Sequence, residues 1–331
     1  MPRKLLTVVA VVSMLALVAT GSALAGNGGL GPADPASPNA SRISGAYWLV
    51  AIFAGLVFAL VEGGLIVFIV RFRRRGRPRT AEGPQIHGST RLELIWTVVP
   101  VLILAFIGGF VFYKLPGIKN VPAASASNRL NVEVEGRQFY WEFRYSNGVV
   151  SVDRLRLPVD EVVTLDVTAP EWDVIHSWWI PRLGGKIDAI PGKVNHTWLK
   201  ATKTGTYLGQ CAELCGLQHA AMRASVEVMS RQDFDAWLSR ASREQKAGTP
   251  ELGRETFVGV CEKCHRLSGE QLYGPNLLDN PLLSDKTGLS LLLKNGRGRM
   301  PAVGRDWPDE QIDSLLAFTK NPKNLEELSG G

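Results

Sequence analysis

One stretch of sequence is the starting point for predicting the fold: Cys211-Ala-Glu-Leu-Cys215-Gly-Leu-Gln-His219-Ala-Ala-Met222. It places two thiols, an imidazole and a thioether in one short loop, and His176 adds a second imidazole upstream, at the end of a β-rich run. These groups form a soft ligand set that suits copper. A mononuclear blue-copper site needs only one cysteine, so the second allows two copper ions to be bridged. The loop therefore predicts a dinuclear copper centre.

The same residues have other interpretations. Zinc also binds two cysteines and two histidines, although methionine is a poor zinc ligand. A Cys211–Cys215 disulfide, a His176 in the core and a buried Met222 would each fit an exported protein. Packing does not readily explain five such residues in this order, four of them in one loop, so copper is the favoured interpretation.

The chain around this loop has the pattern of an all-β domain. Short β-rich runs alternate with turns from Arg129 to Met229. The clearest runs are Leu130–Val134, Val162–Val167, His196–Ala201 and Ala224–Val228. Evenly spaced short strands predict a β-sandwich or barrel.

Helical patterns follow the β-rich region. A helix is predicted over Asp233–Glu244, followed by a linker at Lys246–Pro250. A smaller region comes after the linker, with helical runs at Leu252–Val260, Leu289–Lys294 and Asp309–Thr319. This part of the chain therefore predicts a second, helical domain.

Two apolar segments precede the β-domain. Tyr47–Val70 would span roughly 35 Å as a helix, enough to cross a bilayer, and Leu92–Leu115 is of similar length. Much of the net charge of +6 lies between them, in a run of arginines at positions 71, 73, 74, 75, 77 and 79. A basic run directly after an apolar segment indicates a membrane surface rather than nucleic acid. The positive-inside rule places this loop in the cytoplasm, and the rest of the chain outside.

The N-terminus has the three parts of a secretory signal. Arg3 and Lys4 precede an apolar stretch, and Ala23-Leu24-Ala25 forms a small-residue cleavage site. Cleavage after Ala25 is favoured over an uncleaved membrane helix, because Gly26–Ser44 is rich in Gly, Pro, Asn and Ser and is typical of a flexible exported start. A cleaved signal predicts the same topology as the arginine loop.

A second motif, Cys261-Glu-Lys-Cys264-His265, is the attachment signature of a c-type haem. Both thiols would form thioethers, and the histidine would bind the iron. A thioredoxin-like motif would need a βαβ setting, which the sequence does not indicate. A thioether is expected as the sixth ligand, and Met300 is the candidate because no methionine follows it.

The copper loop, the His176-Ser-Trp-Trp-Ile-Pro181 run and the helical hairpin resemble subunit II of haem–copper cytochrome c oxidases over about 46–229. About 250–320 resembles class I cytochrome c, through the haem motif, Tyr273-Gly-Pro-Asn-Leu277 and the Met300 loop. The whole chain thus resembles subunit II of a caa-type oxidase with a fused cytochrome c. The resemblance implies a cupredoxin fold, a Greek-key barrel that holds the dinuclear copper centre CuA.

The resemblance also implies roles for single residues. The copper ligands would be His176, Cys211, Cys215, His219, Met222 and the backbone carbonyl of Glu213. The Glu213 side chain would face a magnesium ion shared with subunit I, and the Pro275 carbonyl would support the His265 ring. Glu93 would lie near the mouth of a proton path into subunit I, with an interfacial helix-end charge as the alternative. Glu62, inside the first apolar segment, either faces a partner or polar path or is protonated and packed.

One residue departs from the family pattern. Family members carry a tryptophan-rich run that receives electrons from soluble cytochrome c. Here the run is Gln138-Phe139-Tyr140-Trp141, with phenylalanine where the entry tryptophan commonly stands. A tethered haem raises the effective concentration of the donor and would reduce the need for that tryptophan.

These observations predict a mixed architecture of a two-helix transmembrane hairpin, an all-β cupredoxin domain and a small all-α cytochrome c domain. The expected segments are a signal peptide at 1–25, a flexible start at 26–45, spans at 46–70 and 92–115 around a basic loop at 71–91, a cupredoxin domain at 116–230, a helix and linker at 231–249, and a cytochrome c domain at 250–331.

The resemblance implies subunit II of a proton-pumping terminal oxidase in the respiratory chain. Electrons would enter at the haem and pass through CuA to haem in subunit I, where oxygen is reduced to water. Expected partners are subunit I with its haem and CuB, subunit III, and a donor such as cytochrome c or a bc-type complex.

The expected location is the bacterial plasma membrane, with both metal domains on the outer face. The alternatives are a CuA-containing nitric oxide reductase subunit, a copper-delivery or assembly protein, and a membrane electron shuttle with no catalytic partner.

Overall fold

The computed structural model describes residues 31–73, 76, 83, 85, 87–122, 130–278 and 280–329. The predicted signal peptide and its cleavage site lie outside these residues, as do the arginines at positions 74, 75, 77 and 79 of the basic loop. The chain divides into two compact units, Met1–Ala33 with Ser41–Asn120 and Asp34–Ala40 with Val121–Gly331.

The first unit is built from apolar helices. Helix α1 spans Pro38–Arg71, α2 spans Thr90–Lys114 and contains Pro100, and the short α3 spans Pro116–Lys119. Both α1 and α2 are long and apolar enough to cross a membrane. They contain nearly all of the two predicted spans, and most of their large apolar side chains are exposed.

Helix α1 begins at Pro38, within the segment expected to be flexible. Ser37 precedes it, and its hydroxyl accepts a hydrogen bond from the Ala40 N–H at 3.0 Å, as a helix N-cap does. The same hydroxyl donates to the Leu183 carbonyl at 2.5 Å, and the Asn39 amide donates to the Trp198 carbonyl at 3.0 Å. Helix α1 thus begins inside the segment expected to be flexible, and long-range hydrogen bonds from Ser37 and Asn39 hold its first turn.

The second unit contains two five-stranded sheets, with strand orders β3-β2-β1-β5-β8 and β4-β10-β9-β6-β7. The strands are β1 Leu130–Arg137, β2 Tyr140–Tyr145, β3 Val150–Val152, β4 Arg154–Pro158, β5 Val163–Thr168, β6 His176–Trp179, β7 Ile187–Ala189, β8 Asn195–Leu199, β9 Gly205–Cys211 and β10 Arg223–Met229. The four β-rich runs named from the sequence coincide with β1, β5, β8 and β10 to within a few residues.

The two sheets enclose one apolar core. Strands β1 and β5 pair in parallel, as do β4 and β10, and the other pairs are antiparallel. Alternate residues of β5 and β10 are buried, as expected for strands with one face toward a core. This is the cupredoxin-like sandwich that the sequence predicts.

Helices follow the sandwich. They are α4 Arg231–Lys246, α5 Pro250–Thr256, α6 Lys286–Asn295, α7 Asp309–Thr319 and α8 Pro322–Ser329, with a π-helical turn at Phe257–Cys261 and a 3-10 turn at Pro281–Ser284. Helix α4 extends the predicted helix by two residues at each end, and α7 matches its prediction. Helix α8 was not predicted.

The helical domain and the sandwich share a core. The apolar cluster formed by Leu252, Phe257 and Trp307 also includes the fully buried Tyr140 of β2 and the buried Val152 of β3. A polar contact lies beside this cluster. The Gln245 side chain of α4 forms hydrogen bonds of 2.9 and 2.7 Å with the backbone N–H and C=O of Val150. These contacts fix the helices against the edge strand β3.

Candidate copper and haem sites

Five donor side chains meet at one end of the sandwich. The Cys211 Sγ lies 3.9 Å from the Cys215 Sγ and 4.0 Å from the His176 Nδ1. The Cys215 Sγ lies 3.6 Å from the His219 Nδ1 and 3.7 Å from the Met222 Sδ. His176, Cys211 and Cys215 also form a buried group that could hold a metal ion. The structure thus brings together all five side chains that the sequence singled out.

Neighbouring strands position these groups. His176 begins β6 and Cys211 ends β9, and the two strands pair through Trp178 and Cys211. The loop after Cys211 carries Cys215, and a 3-10 turn beginning at His219 returns the chain to β10. The Cys211 N–H donates to the Met222 carbonyl at 2.9 Å, which closes the base of the loop.

The backbone of Glu213 also faces the site. Its carbonyl oxygen lies 3.2 Å from the Cys211 Sγ, whereas the residue as a whole is exposed. Two soft thiolates, two imidazoles, a thioether and a carbonyl fit copper better than magnesium or calcium, which prefer harder oxygen ligands.

The two thiols differ in acidity. The hydrogen bond from Cys215 lowers the pKa of Cys211 to about 3, despite the opposing effect of burial. The pKa of Cys215 is raised, first by that same hydrogen bond and then by burial. Metal binding would release the thiol protons that remain, because cysteine binds metals as the thiolate.

Asp173 orients the first imidazole. Its Oδ1 lies 3.2 Å from the His176 Nε2, which leaves Nδ1 facing the thiols, and its Oδ2 accepts a hydrogen bond from the Gln138 N–H at 3.0 Å. Burial would lower the pKa of His176, but the hydrogen bonds to Asp173 and Cys211 raise it overall. Asp173 was not predicted from the sequence, although it lies only three residues before His176.

Replacing this carboxylate tests its role. We expect Asp173→Asn to weaken copper binding by about 10- to 100-fold, the usual cost of losing a partner that orients a metal-binding histidine. The pKa of His176 should fall at the same time. Competition with a copper chelator measures the first effect, and histidine titration by NMR in the copper-free protein measures the second.

Asp188→Asn is the matched control. Asp188 lies on β7, next to the site, and its carboxylate accepts a hydrogen bond from the Ser177 hydroxyl at 2.7 Å rather than from a copper donor. This variant should bind copper as the wild-type chain does. Equal copper affinity in Asp173→Asn and the wild-type chain would contradict an orienting role for Asp173.

The second site lies in the helical domain. Cys261 ends the π-helical turn, and the His265 N–H donates to the Cys261 carbonyl at 2.9 Å. The His265 Nδ1 lies 2.8 Å from the Pro275 carbonyl oxygen, so it donates there and Nε2 carries the lone pair that a metal ligand needs. A side chain on Gly274 would overlap the His265 ring, so glycine is needed at this position.

Met300 and the two cysteines of the haem motif are the other groups of the predicted haem site. Met300 packs against the helical core, and its backbone pairs with Arg297 in a tight turn. Burial raises the pKa of Cys261 to about 12 and also raises the pKa of Cys264. Neither cysteine is in a disulfide, which is compatible with attachment to haem vinyl groups.

The predicted carboxylates of the first unit lie on the long helices. Glu93 is in the first turn of α2, and its backbone carbonyl accepts a hydrogen bond from the Thr97 hydroxyl at 2.9 Å. Glu62 lies within α1 and is exposed. Their roles stay predictions.

The β-sandwich brings thiols, imidazoles and a thioether together. The same chain has membrane-spanning helices and a haem motif. These features define a membrane-anchored electron-transfer protein. Three family matches agree with this class. "Cytochrome C oxidase subunit II, transmembrane domain" matches residues 25–113, "Cytochrome C oxidase subunit II, periplasmic domain" matches 148–229, and "Cytochrome C oxidase, cbb3-type, subunit III" matches 248–318.

Curated relatives extend the match to nearly the whole chain. Cytochrome c oxidase subunit 2 of Alkalihalophilus pseudofirmus is 32% identical over 95% of this chain and 96% of its own length. Cytochrome c oxidase subunit 2 of Bacillus sp. strain PS3 is 32% identical over 76% of this chain and 80% of its own length. A crystal structure of the periplasmic domain of subunit II from Bradyrhizobium japonicum is 36% identical and covers 35% of this chain and 94% of that chain, with a TM-score of 0.33.

This chain belongs to the cytochrome c oxidase subunit II family. Membership makes it part of a haem–copper oxidase, an oxidoreductase complex. The two matched regions outside the membrane imply a CuA copper centre in the sandwich and haem c in the helical domain.

Proposed function

We propose that this chain carries electrons from an outside donor to the catalytic subunit of a proton-pumping haem–copper oxidase that reduces oxygen to water. Bound haem and copper would supply two centres that change oxidation state by one electron. The convergence of five donor side chains around Cys215 carries the proposal, because packing alone does not explain such a cluster.

The chain's own residues have distinct tasks in this function. The copper pair would be held by His176, Cys211, Cys215, His219, Met222 and the Glu213 carbonyl. Cys261 and Cys264 would hold the haem covalently, and His265 and Met300 would supply the nitrogen and sulfur ligands to its iron. Burial of the two thiols and of His176 keeps water from the copper donors, and Asp173 keeps the His176 ring in place.

The exposed and membrane residues would serve the assembly. Glu213 would share a magnesium ion with subunit I, since the residue is exposed while its carbonyl faces the thiols. Glu93 would lie near the entrance of a proton path in subunit I. Subunit III and a donor such as cytochrome c or a bc-type complex would complete the assembly in the bacterial plasma membrane, with both metal domains on the outer face.

Spectroscopy of the purified complex tests the proposal. We expect an EPR signal from an electron shared by two copper ions, an optical spectrum of c-type haem that survives denaturation, and oxygen consumption with a reduced donor. A complex that contains neither copper nor covalent haem would overturn the proposal. Nitric oxide consumption without oxygen consumption would instead identify a nitric oxide reductase.

A further inference from the structure

Lys263 lies between the two cysteines of the haem motif and reaches out of the helical domain. Its Nζ donates to the Phe139 carbonyl of the sandwich at 2.8 Å. It also pairs with the Asp153 carboxylate, and the two side chains are only 11% and 21% exposed. Neither cysteine attachment nor iron binding requires a lysine at this position, so its contacts need a separate explanation.

Phe139 and its neighbour Gln138 lie directly against the copper loop. The Gln138 Nε2 donates to the Cys215 carbonyl at 2.6 Å. A Cβ on Gly216 would lie 3.2 Å from the Phe139 ring, so that ring packs on the residue next to Cys215. The same short segment therefore contacts Lys263 on one side and the copper loop on the other.

We propose that Lys263 is a positioning residue that bridges the two redox sites, through Phe139 and Gln138, to Cys215. From Cys264 to Cys215 the path consists of covalent bonds and two hydrogen bonds, at 2.8 and 2.6 Å. Electronic coupling decays less through bonds than across gaps, which favours this path. The bridge would carry one electron at a time from the haem site to the copper site, with no bond or proton exchanged.

Asp153 holds the lysine in place. Its Oδ1 accepts a hydrogen bond from the Trp141 N–H at 2.8 Å, and its Oδ2 pairs with Lys263. The backbone N–H of Asp153 donates to the Trp141 carbonyl at 2.8 Å. The carboxylate is thus fixed from the sandwich side, and the ammonium group is directed toward Phe139.

A second contact joins the helices to the sandwich without Lys263. The Tyr140 hydroxyl donates to the Val303 carbonyl at 2.8 Å and accepts from the Trp307 Nε1 at 2.9 Å. Removing this hydroxyl weakens the docking of the domains but leaves the bridge intact. Tyr140→Phe therefore separates docking from bridging.

The inference rests on the proposed function, so the test begins with the full-length, metal-loaded chain in detergent. A photoexcited ruthenium complex delivers an electron to the haem, and the haem and copper absorption bands report its transfer. We expect Lys263→Met to slow electron transfer by about tenfold or more. Rate losses of this size are usual when reacting groups are slightly misplaced. Haem and copper spectra should stay unchanged, and rates are compared after correction for any change in midpoint potential, because Lys263→Met removes a largely buried charge beside Asp153.

Matched variants complete the design. Lys294→Met should transfer electrons at the wild-type rate, because Lys294 forms an exposed pair with Asp309 at 3.1 Å in the same domain. Lys263→Arg should recover part of the rate, and Tyr140→Phe should slow transfer much less than Lys263→Met. An unchanged rate in Lys263→Met, or equal slowing in Tyr140→Phe, would overturn the bridge. Absence of either metal spectrum in the wild-type chain would instead overturn the proposed function.

Discussion

Replacing Cys215 with serine is expected to abolish the mixed-valence copper signal while leaving covalent haem in place. The Cys215 Sγ is central to the site, within 4 Å of the donor atoms of Cys211, His219 and Met222. A serine oxygen is a hard ligand and does not bridge two copper ions as a thiolate does. Loss of a group that only orients a ligand costs about 10- to 100-fold, so loss of a thiolate that would itself bind copper should cost more.

The measurement is copper EPR together with the rate of donor oxidation by the assembled complex. Met222→Leu is the graded control, because it removes one fully buried thioether and keeps both thiols. It should retain a copper pair with an altered spectrum and potential. A Cys215→Ser complex with a wild-type copper signal would contradict the assignment of the bridging ligand.

Replacing both Cys261 and Cys264 with alanine is expected to have the opposite effect. The chain should lose covalent haem and keep its copper pair, because the copper donors lie in the sandwich and the two cysteines lie in the helical domain. Oxidation of an external donor should fall by more than about tenfold, since a tethered donor acts at an effective concentration in the millimolar range.

Haem staining after denaturing electrophoresis and copper EPR report the two sites separately. Cys264→Ala alone leaves one thioether and should retain part of the haem. If the doubly substituted complex oxidised the donor at the wild-type rate, electrons would enter directly at the copper site. The assignment of the fused haem as the entry point would then be wrong.

The parts of this protein whose chemistry is local could be predicted from the sequence. The copper loop holds four donor side chains between Cys211 and Met222, so their spacing alone keeps them close. The haem motif is shorter still. Pro275 lies only 10 residues after His265, and the family resemblance predicted the contact between them. Apolar length was sufficient to predict both long helices of the first unit.

The way these parts are joined could be found only in the folded chain. Lys263 and Phe139 are 124 residues apart in sequence, and Tyr140 reaches Trp307 across 167 residues. Such pairs depend on how two domains pack, which no local spacing encodes. The hydrogen bond from Ser37 to Leu183 joins residues 146 apart in sequence, so it too could not be predicted from a local segment rich in Gly, Pro and Ser.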